Sequence, residues 1–359
     1  MRVLIAPDSF GGTLTAAEAA AAIAAGWRAA RPGDELDIVP QSDGGPGFVD
    51  ALSVIGAVHT TRVDGPLDTV VDARWVLSDG PAPVACLESA QAVGLDLLAG
   101  PPTPDTAVRA HSRGVGQLIA AAAAAGARRI VVGLGGSCCT DGGRGAIEAL
   151  GGIDRARARL HGIDLVAATD VEHPLLGEHG AAHVFGPQKG ADAATVALLE
   201  RRNTAWAGDL RAAVGRDVSV RPGAGAAGGL GAALFALGAA RESGATVVAR
   251  VTGLTGRVAA ADLVLTGEGR FDHQSLRGKL AVAVARLGSA AGVPAVVLAG
   301  QVDVPAATAA DVGVTAVYSL VETAGSVAHA MADAGTHLAA LTASVARAWP
   351  GTPGPIHEE

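Results

Sequence analysis

Short apolar runs that end in loops rich in glycine and acidic residues restrict the fold of this chain more than any other feature. The first run is Val3–Ala6, and Asp8 lies in the loop after it. A Thr-x-x-Glu capping pattern at Thr15 predicts a helix over Ala16–Ala30, and the apolar run Leu36–Val39 follows. Because strand and helix alternate in this order, the segment predicts a parallel sheet with right-handed crossovers.

The alternation of strand and helix stops near Val63. Short segments with glycine and proline turns continue to Glu88, and they predict antiparallel hairpins. The parallel rhythm returns at Ala261, with Asp262–Leu265 predicted as a strand and Thr266–Arg277 as the loop after it. A chain of 359 residues is long enough for two domains. We therefore expect a flavodoxin- or Rossmann-like parallel-sheet domain, built from residues 1–63 and 261–359, that is interrupted by an inserted α/β domain of residues 64–260.

The expected inserted domain has fewer clear strand signals. Thr106–Ala125 is predicted as one helix, and Arg129–Leu134 as a strand that enters a glycine-rich loop. The stretch His161–Gly190 is predicted as a long loop-rich segment.

Charge and aromatic content argue against a nucleic-acid partner. The net charge is −8, aromatic residues make up 3% of the chain, and no basic tract is present. A nucleic-acid surface needs a basic patch and, for single strands, stacking rings. We expect a small-molecule substrate instead.

The cysteines and the apolar segments indicate the compartment. Cys86, Cys138 and Cys139 are odd in number and two of them are adjacent, which is not the pattern of a disulfide framework and fits a reducing environment. Pro7 and Asp8 interrupt the first apolar run, so a secretory leader is not expected. The alanine-rich segments are broken too often by Gly, Arg and Pro to span a bilayer. We expect a cytoplasmic protein with no membrane contact.

Four loops at expected strand ends combine glycine with acidic residues. Glycine lets backbone N–H groups approach an anion, and carboxylates hold Mg²⁺ together with water and phosphate oxygens. Phosphoryl transfer needs both. One such loop is more often only a tight turn, so the prediction depends on the set: Ala6–Thr13, Ser42–Gly45, Gly133–Ser137 with Asp141–Gly143, and Thr266–Asp272.

Several common catalytic motifs are absent from the sequence. There is no Walker A string, no protein-kinase His-Arg-Asp set, and no dinucleotide Gly-x-Gly-x-x-Gly after the first strand. The Gly-x-Ser-x-Gly string of serine hydrolases is also missing. The histidines do not form a zinc-binding pattern on a helix. A phosphate-binding site would therefore be built differently from these.

Lysine is rare in this chain, and both lysines lie beside glycines. Of 27 basic residues only Lys189 and Lys279 are lysines, in Gly186–Gly190 and Arg277–Lys279. An ammonium binds phosphate as a compact point charge. The alternative, that both are ordinary surface lysines, stays open, and we regard Lys279 as the stronger candidate.

The loop strings, in their order and spacing, resemble the type I glycerate kinase family, and the resemblance runs from the first strand to the last helix. The matching strings are Pro7–Phe10, Asp43–Gly45, Gly133–Ser137, Asp141–Gly143, Asp170–Val171, Pro174–Leu175, Gly180–Ala182, Phe185–Ala191, Pro222–Gly231 and Thr266–Arg270. The resemblance implies ATP-dependent phosphorylation of D-glycerate with Mg²⁺, more often at the 2-position. It also implies a Rossmann- or flavodoxin-like domain interrupted by a second α/β domain, and we expect the active site in the cleft between them.

The resemblance and the loop chemistry together suggest roles for particular residues. The catalytic candidates are Asp43, Asp170, Arg270 and Lys279, and the Mg²⁺ candidates are Asp43 and Glu268. The candidates for binding substrate or phosphate are Asp8, Ser9, Gly44, Gly45, Gly135, Gly136, Ser137, Asp141, Lys189, Gly267 and Gly269.

The chain departs from the family pattern at four positions. Gly11 stands where a lysine is usual, Pro46 where a glutamate is usual, and Thr140 and His173 where asparagines are usual. These departures keep two alternatives open: a kinase of another small hydroxy acid, and a non-catalytic ligand-binding homologue. The phosphorylated position and a homodimeric assembly stay open as well.

The Lys279→Ala variant is expected to lower kcat by about 10²–10³-fold, because an ammonium at a helix start adds charge where a phosphate would bind. The fold should survive, since a lysine at a loop edge buries little surface. A coupled ADP-release assay measures the effect, with Lys189→Ala as a variant expected to be milder. If Lys279→Ala keeps more than about a tenth of wild-type turnover, the role assigned to Lys279 is wrong.

Overall fold

The computed structural model of the chain describes residues 1–277 and 279–350, and for Arg277 it describes only the backbone. The chain divides into two compact units. The first unit contains Met1–Ser42 and the chain from Ala249 onward, and the second contains Asp43–Val248.

The strands of the described residues are β1 (Arg2–Ile5), β2 (Glu35–Ile38), β3 (Gly56–Asp64), β4 (Val70–Ser78), β5 (Val84–Glu88), β6 (Arg129–Gly133), β7 (Asp164–Ala168), β8 (Ala240–Glu242), β9 (Leu263–Phe271), β10 (Ala295–Val302) and β11 (Ala316–Ser319).

The helices of the described residues are α1 (Ala16–Ala30), α2 (Phe48–Leu52), α3 (Ala90–Val93), α4 (Pro104–Arg109), α5 (Arg113–Ala124), α6 (Arg144–Ala149), α7 (Ile153–Arg159), α8 (Ala181–Phe185), α9 (Ala193–Val214), α10 (Ala226–Ala236), α11 (Gly244–Val251), α12 (Leu254–Ala259), α13 (Leu280–Ala291), α14 (Ala306–Ala310), α15 (Leu320–Ala324), α16 (Val327–Ala332) and α17 (Ala334–Ala348). Short 3₁₀ turns occupy Ser53–Ile55, Leu95–Leu97, Pro187–Lys189 and Ser275–Arg277. None of the helices in the described part of the chain is long and apolar enough to cross a membrane.

The first unit contains a parallel sheet with the strand order β11-β10-β9-β1-β2. Counted within the unit, this is the order 2-1-3-4-5 of flavodoxin-like doubly wound folds. Val3 pairs with Leu263, and Ile5 with Leu265, so β1 lies beside a strand from the far end of the chain. The predicted flavodoxin-like parallel sheet is confirmed.

Helix α1 forms where the capping pattern predicts it. The Thr15 side chain accepts a hydrogen bond from the Glu18 amide, and the Glu18 carboxylate accepts one of 2.8 Å from the Thr15 amide. The buried face of α1, which includes Ile23 and Trp27, packs with α17 residues such as Leu338 in the core of the unit. The cap therefore fixes where a helix of the core begins.

The second unit contains a six-stranded mixed sheet in the order β3-β4-β5-β6-β7-β8. Strands β3, β4 and β5 pair antiparallel, whereas β5 to β8 are parallel. The predicted antiparallel hairpins are confirmed, although the first strand begins earlier, at Gly56. The carboxyl ends of the parallel strands share one edge, where the loops after Glu88, Gly133 and Ala168 begin.

The prediction of a loop from Thr266 onward is wrong, because β9 continues to Phe271. In this extension Glu268 pairs with Ala299 of β10. One glycine that suggests a loop, Gly267, is needed by this pairing, because a Cβ atom there would lie 2.2 Å from the carbonyl oxygen of Leu298. Close approach of two strands, rather than a turn, explains that glycine.

Two further predictions fail in the second unit. The segment His161–Gly190, predicted as loop-rich, contains β7, a largely buried strand that pairs on both sides, with β6 and β8. The helix predicted over Thr106–Ala125 is two helices, α4 and α5, separated at residues 110–112. The break forms because the amide and hydroxyl of Ser112 both donate to the Asp141 carboxylate, at 2.9 and 2.8 Å.

The unit boundaries differ from those expected near residues 63 and 261. The first falls between Ser42 and Asp43, because α2 packs on β4 and β5 and β3 pairs along its length with β4. The second falls between Val248 and Ala249, within α11. Sequence rhythm locates the insertion, but it places the first end at the end of β3 instead of before α2 and the second end after α12 instead of within α11.

The Gly267→Ala variant is expected to lower the free energy of unfolding by about 1–3 kcal/mol, because the added methyl group meets the β10 backbone. Gly256→Ala is the matched control: its position in α12 has no neighbour within 4 Å, and alanine favours the helix by up to about 1 kcal/mol. Urea unfolding measures both. Equal effects of the two substitutions would contradict the packing explanation for Gly267.

Candidate functional site

The first candidate group of residues lies where β1 and β9 run side by side. Asp8 follows β1, and its amide donates to the Gly267 carbonyl oxygen over 2.8 Å. The Asp8 carboxylate accepts a hydrogen bond of 2.7 Å from the Ser9 amide. Glu268, the next residue of β9, is 7% exposed. The strand order reverses between β1 and β9, which is where doubly wound proteins bind ligands, so the fold brings these four predicted residues to one such position.

Lys279 occupies the N-cap position of α13. Its Nζ atom lies 3.9 Å from Oε2 of Glu268, and its side chain is 44% exposed. The start of a helix favours an anion, and an exposed ammonium adds to that preference. The ion pair places Lys279 beside the group that contains Glu268, which supports the predicted phosphate role.

Arg270 is held by two carboxylates. Its Nε atom donates to Oδ2 of Asp303 over 2.7 Å, and it lies 3.7 Å from Oδ2 of Asp272. Burial opposes ionisation of Asp272, but amide hydrogen bonds and the charges of Lys279 and Arg270 hold the pKa of that carboxyl below its usual value. A phosphate would compete with both acids for the Arg270 guanidinium, so its predicted role is less direct than that of Lys279.

The second candidate group, in the second unit, begins with the loop that carries Asp43. This loop packs on the glycine-rich loop after β6: the Gly135 amide donates to the Gly44 carbonyl oxygen over 3.0 Å. A Cβ atom at Gly135 would lie 2.3 Å from the Gly45 Cα atom. Loop packing therefore requires this glycine and uses its amide, which was a predicted phosphate donor. The Asp43 side chain is exposed and receives the Gly45 amide on Oδ1 at 3.1 Å.

Asp141 is a structural anion in this unit. Its carboxylate accepts hydrogen bonds from the amide and hydroxyl of Ser112 and from the amides of Gly143 and Gly145, all between 2.8 and 3.1 Å. Four donors already satisfy this carboxylate and fix the turn into α6. The geometry thus favours a structural role over the predicted contact with substrate or phosphate.

Asp170 lies at the same sheet edge as the loop after β6. It follows β7, whose last residue, Ala168, pairs with Gly133 at the end of β6. Its side chain is exposed, and Oδ2 accepts the Ala245 amide at the start of α11 over 3.2 Å. Its exposure leaves Asp170 accessible to a ligand.

A cavity of about 310 Å³ lies in the second unit, and Lys189 forms part of its wall. The Lys189 residue is only 3% exposed. Its Nζ atom donates to Oγ of Ser137 over 2.9 Å and to the Cys139 carbonyl oxygen over 2.7 Å. Burial lowers the pKa of this ammonium. Gly136 and Ser137, two further predicted residues, also line the cavity.

The two lysines differ from what the sequence suggests. Lys189, expected to be the less important, is buried and hydrogen-bonded in a cavity wall, whereas the Lys279 side chain is 44% exposed. An ammonium removed from water needs strong compensation. We therefore no longer expect Lys189→Ala to be the milder substitution.

Glu88 was not identified from the sequence. It ends β5 and is 2% exposed, and its Oε2 atom accepts the amides of Gly47 and Val49 at 3.2 and 3.1 Å. Burial raises the pKa of this carboxyl to about 7, although hydrogen bonds from Val49 and Gln91 oppose the shift. The sequence feature that could have identified Glu88 as a candidate is its position as an acidic residue at the end of the predicted hairpin segment. Glu88 holds the chain just after the Asp43 loop.

Within residues 1–277 and 279–350, no group of three or more His, Cys, Asp and Glu side chains is arranged to hold a metal ion. A magnesium ion bound with a nucleotide does not need such a group, because one or two carboxylates suffice when phosphate oxygens and water complete the shell. The exposed Asp43 and the β9 residue Glu268 are carboxylates suited to that mode.

The strand-order reversal, the acids beside it and the lysine at a helix start are features of α/β enzymes that act on phosphorylated ligands. A sequence model of the Glycerate kinase family matches residues 3–154 and 152–350. Glycerate 2-kinase of Escherichia coli strain K12 is 35% identical over 96% of this chain and 97% of its own length. A protein of Mycobacterium tuberculosis strain CDC 1551 that carries no functional name is 57% identical over 96% and 91%.

A solved structure supports the same relationship. A Salmonella typhimurium LT2 protein assigned as glycerate kinase 2 superposes with a TM-score of 0.75 and is 33% identical, covering 97% of this chain and 98% of that one. The chain belongs to the glycerate kinase family, and it is a kinase.

The Glu88→Gln variant is expected to change how stability depends on pH. Because the folded-state pKa of Glu88, about 7, lies above the ordinary value of 4.5, its contribution is present below pH 4.5 and is lost as the pH rises through 7. Glutamine removes this loss. When the pH is raised from 4.5 to 8, the free energy of unfolding of the wild type should therefore fall by about 3 kcal/mol more than that of the variant.

Urea unfolding at both pH values measures the shift. The same substitution at Glu148, an exposed residue of α6, controls for the loss of one charge. An identical pH dependence for Glu88→Gln and the wild type would contradict the raised pKa.

Proposed function

We propose that the chain transfers the γ-phosphoryl group of ATP to a hydroxyl group of D-glycerate and that 2-phosphoglycerate is the product. Membership of the glycerate kinase family and the name of the E. coli relative support the substrate and the position. The observation that carries the proposal is the pair formed by Lys279 and Glu268 beside the β1–β9 strand reversal.

The chemistry assigned to these residues is positioning and charge stabilisation. The substrate hydroxyl attacks the γ-phosphorus, the bond from that phosphorus to the β–γ bridging oxygen breaks, and ADP leaves. Lys279, at the start of α13, stabilises the charge on the transferred group. The exposed carboxylate of Asp170 accepts the proton of the hydroxyl.

Magnesium fits the donors present. Glu268 and Asp43 are each a candidate for holding the ion, because a nucleotide-bound Mg²⁺ uses only one or two carboxylates. When bound, the ion supplies charge neutralisation at the phosphate oxygens. Arg270, held by Asp303 and Asp272, keeps those two acids from competing for the ion. Three buried free cysteines fit the cytoplasm, where ATP is available, and we propose that compartment.

A second candidate substrate is a hydroxy acid with a larger apolar side chain. The cavity of the second unit has Leu95, Leu134, Val171 and Phe185 in its wall. A diol acid as small as glycerate does not need so much apolar surface. A kinase of a bulkier 2-hydroxy acid would use it.

A coupled ADP-release assay with D-glycerate, L-glycerate, glycolate, D-lactate and longer 2-hydroxy acids tests the proposal. We expect the highest kcat/KM with D-glycerate, and ³¹P–¹H couplings should identify the 2-phosphate. Glu268→Gln should raise the Mg²⁺ concentration needed for half-maximal rate, because one carboxylate ligand is lost. A longer acid preferred over D-glycerate would support the second candidate. No turnover with any acid, together with no binding of Mg-ATP by calorimetry, would remove the proposal.

A further inference from the structure

The buried charge of Lys189 lacks an anionic partner. No carboxylate oxygen of the described residues lies within 4.0 Å of its Nζ atom, and its hydrogen-bond acceptors, Ser137 Oγ and the Cys139 carbonyl, are both neutral. Asp141 acts on this charge only from a distance, because its own oxygens bind Ser112, Gly143 and Gly145. A buried cation without a counter-ion is costly. The site therefore favours an anion.

The ammonium of Lys189 also has a donor to spare. An ammonium group has three N–H bonds, and two of them bind Ser137 and Cys139. The third has no acceptor in the part of the chain that the structure describes. Because Lys189 lines the cavity of the second unit, an anion in that cavity can accept this hydrogen bond.

Two backbone amides add to the donors at the same wall. The Gly135 amide is used by the Gly44 carbonyl oxygen. The amides of Gly136 and Ser137, in contrast, donate to no acceptor among the hydrogen bonds of residues 1–277 and 279–350. Both residues line the cavity. One ammonium and two amides are a donor set suited to the two oxygens of a carboxylate.

The size and walls of the cavity favour a small monoanion over a nucleotide phosphate chain. Its volume of about 310 Å³ lies at the low end for ligand sites. Leu134, Val171 and Phe185 supply apolar wall, and among the described residues that line the cavity Lys189 is the one that is cationic. A triphosphate would bring several negative charges to a single ammonium. A carboxylate brings one.

A strained turn also contributes to the wall of the cavity. Ala227 has a left-handed backbone, with φ 49° and ψ 45°, and Gly228 and Gly229 continue that conformation. Ala226 and Ala227 both line the cavity, and the Gly228 carbonyl oxygen receives the Gly142 amide at 3.0 Å. A left-handed alanine costs about 1–3 kcal/mol and persists where the surroundings enforce it, commonly at ligand sites.

We propose that this cavity is the subsite for the carboxylate group of the substrate acid and that Lys189 selects a carboxylate over a neutral group at that position. The inference rests on the proposed function for the identity of the acid. It assigns the carboxylate end of the substrate to the second unit and gives Lys189 a role separate from that of Lys279.

The test compares D-glycerate with its neutral analogue D-glyceramide as phosphoryl acceptors. In Lys189→Met, which keeps side-chain length and removes the charge, KM for D-glycerate should rise roughly 10²–10³-fold, which lies within the range for removing one partner of a buried charge pair. KM for ATP should stay within about threefold of wild type, and the preference for acid over amide should disappear.

Two further variants keep the test decisive. Lys189→Gln retains a hydrogen-bond donor for Ser137 and Cys139, so it should fold even if Lys189→Met does not, and it should lose the same preference. Lys279→Met removes the other lysine of the chain; it should lower kcat and keep the acid-over-amide preference. A raised KM for ATP with an unchanged KM for D-glycerate would overturn the proposal in favour of a nucleotide site.

Binding without turnover separates this inference from the proposed function. Calorimetry without ATP uses D-glycerate, D-lactate and inorganic phosphate as probes. If no acid is phosphorylated, binding of D-glycerate or D-lactate to wild type and not to Lys189→Gln still supports the subsite. Phosphate binding in preference to both acids would overturn it. A lowered melting temperature in the Lys189 variants with unchanged binding of both acids would show that Lys189 is structural.

Discussion

The parallel pairing of β1 with β9 is the constraint on which the rest of the first unit depends. It joins Val3 to Leu263 and Ile5 to Leu265, so residues from opposite ends of the sequence form the centre of one sheet. The strand order reverses at that pairing, and the loop after β1 lies beside the carboxyl-terminal part of β9, which contains Gly267 and Gly269. Glu268 and, through the start of α13, Lys279 are positioned by it. The inserted unit does not interrupt this sheet. The chain passes into the second unit after β2, and β2 is an edge strand of the sheet.

The second unit contains two charged side chains, Asp141 and Lys189, whose charges are compensated to different degrees. Asp141 is saturated by hydrogen bonds from Ser112, Gly143 and Gly145, which fixes two helix starts. Lys189 has neutral partners and a cavity beside it. Complete compensation stabilises a fold, whereas incomplete compensation leaves binding energy for a ligand. By this criterion Asp141 is a structural residue and Lys189 is a candidate ligand-binding residue, although the sequence suggests a binding role for both.

Sequence patterns predicted the elements whose signals are local. The capping pattern at Thr15 located α1, and strand–helix alternation predicted the parallel sheet of the first unit. Sequence patterns gave the wrong secondary structure where contacts with segments far apart in the chain determine it. Gly267 suggested a loop, yet it lies in β9 because β10 passes too closely for a side chain. β7 was missed because glycine and proline around it mask a short buried strand.

The sequence by itself determined the fold class, the presence of an insertion, the family resemblance and the set of loops that carry the candidate residues. It did so because capping, hydrophobic periodicity and turn residues act over a few positions. Only the tertiary structure decided which of those residues are available to a ligand. Burial, close approach and hydrogen-bond partners of Lys189, Gly135 and Asp141 come from segments far apart in the chain. A residue's charge is set by its type, but whether that charge is satisfied depends on neighbours that no local pattern specifies.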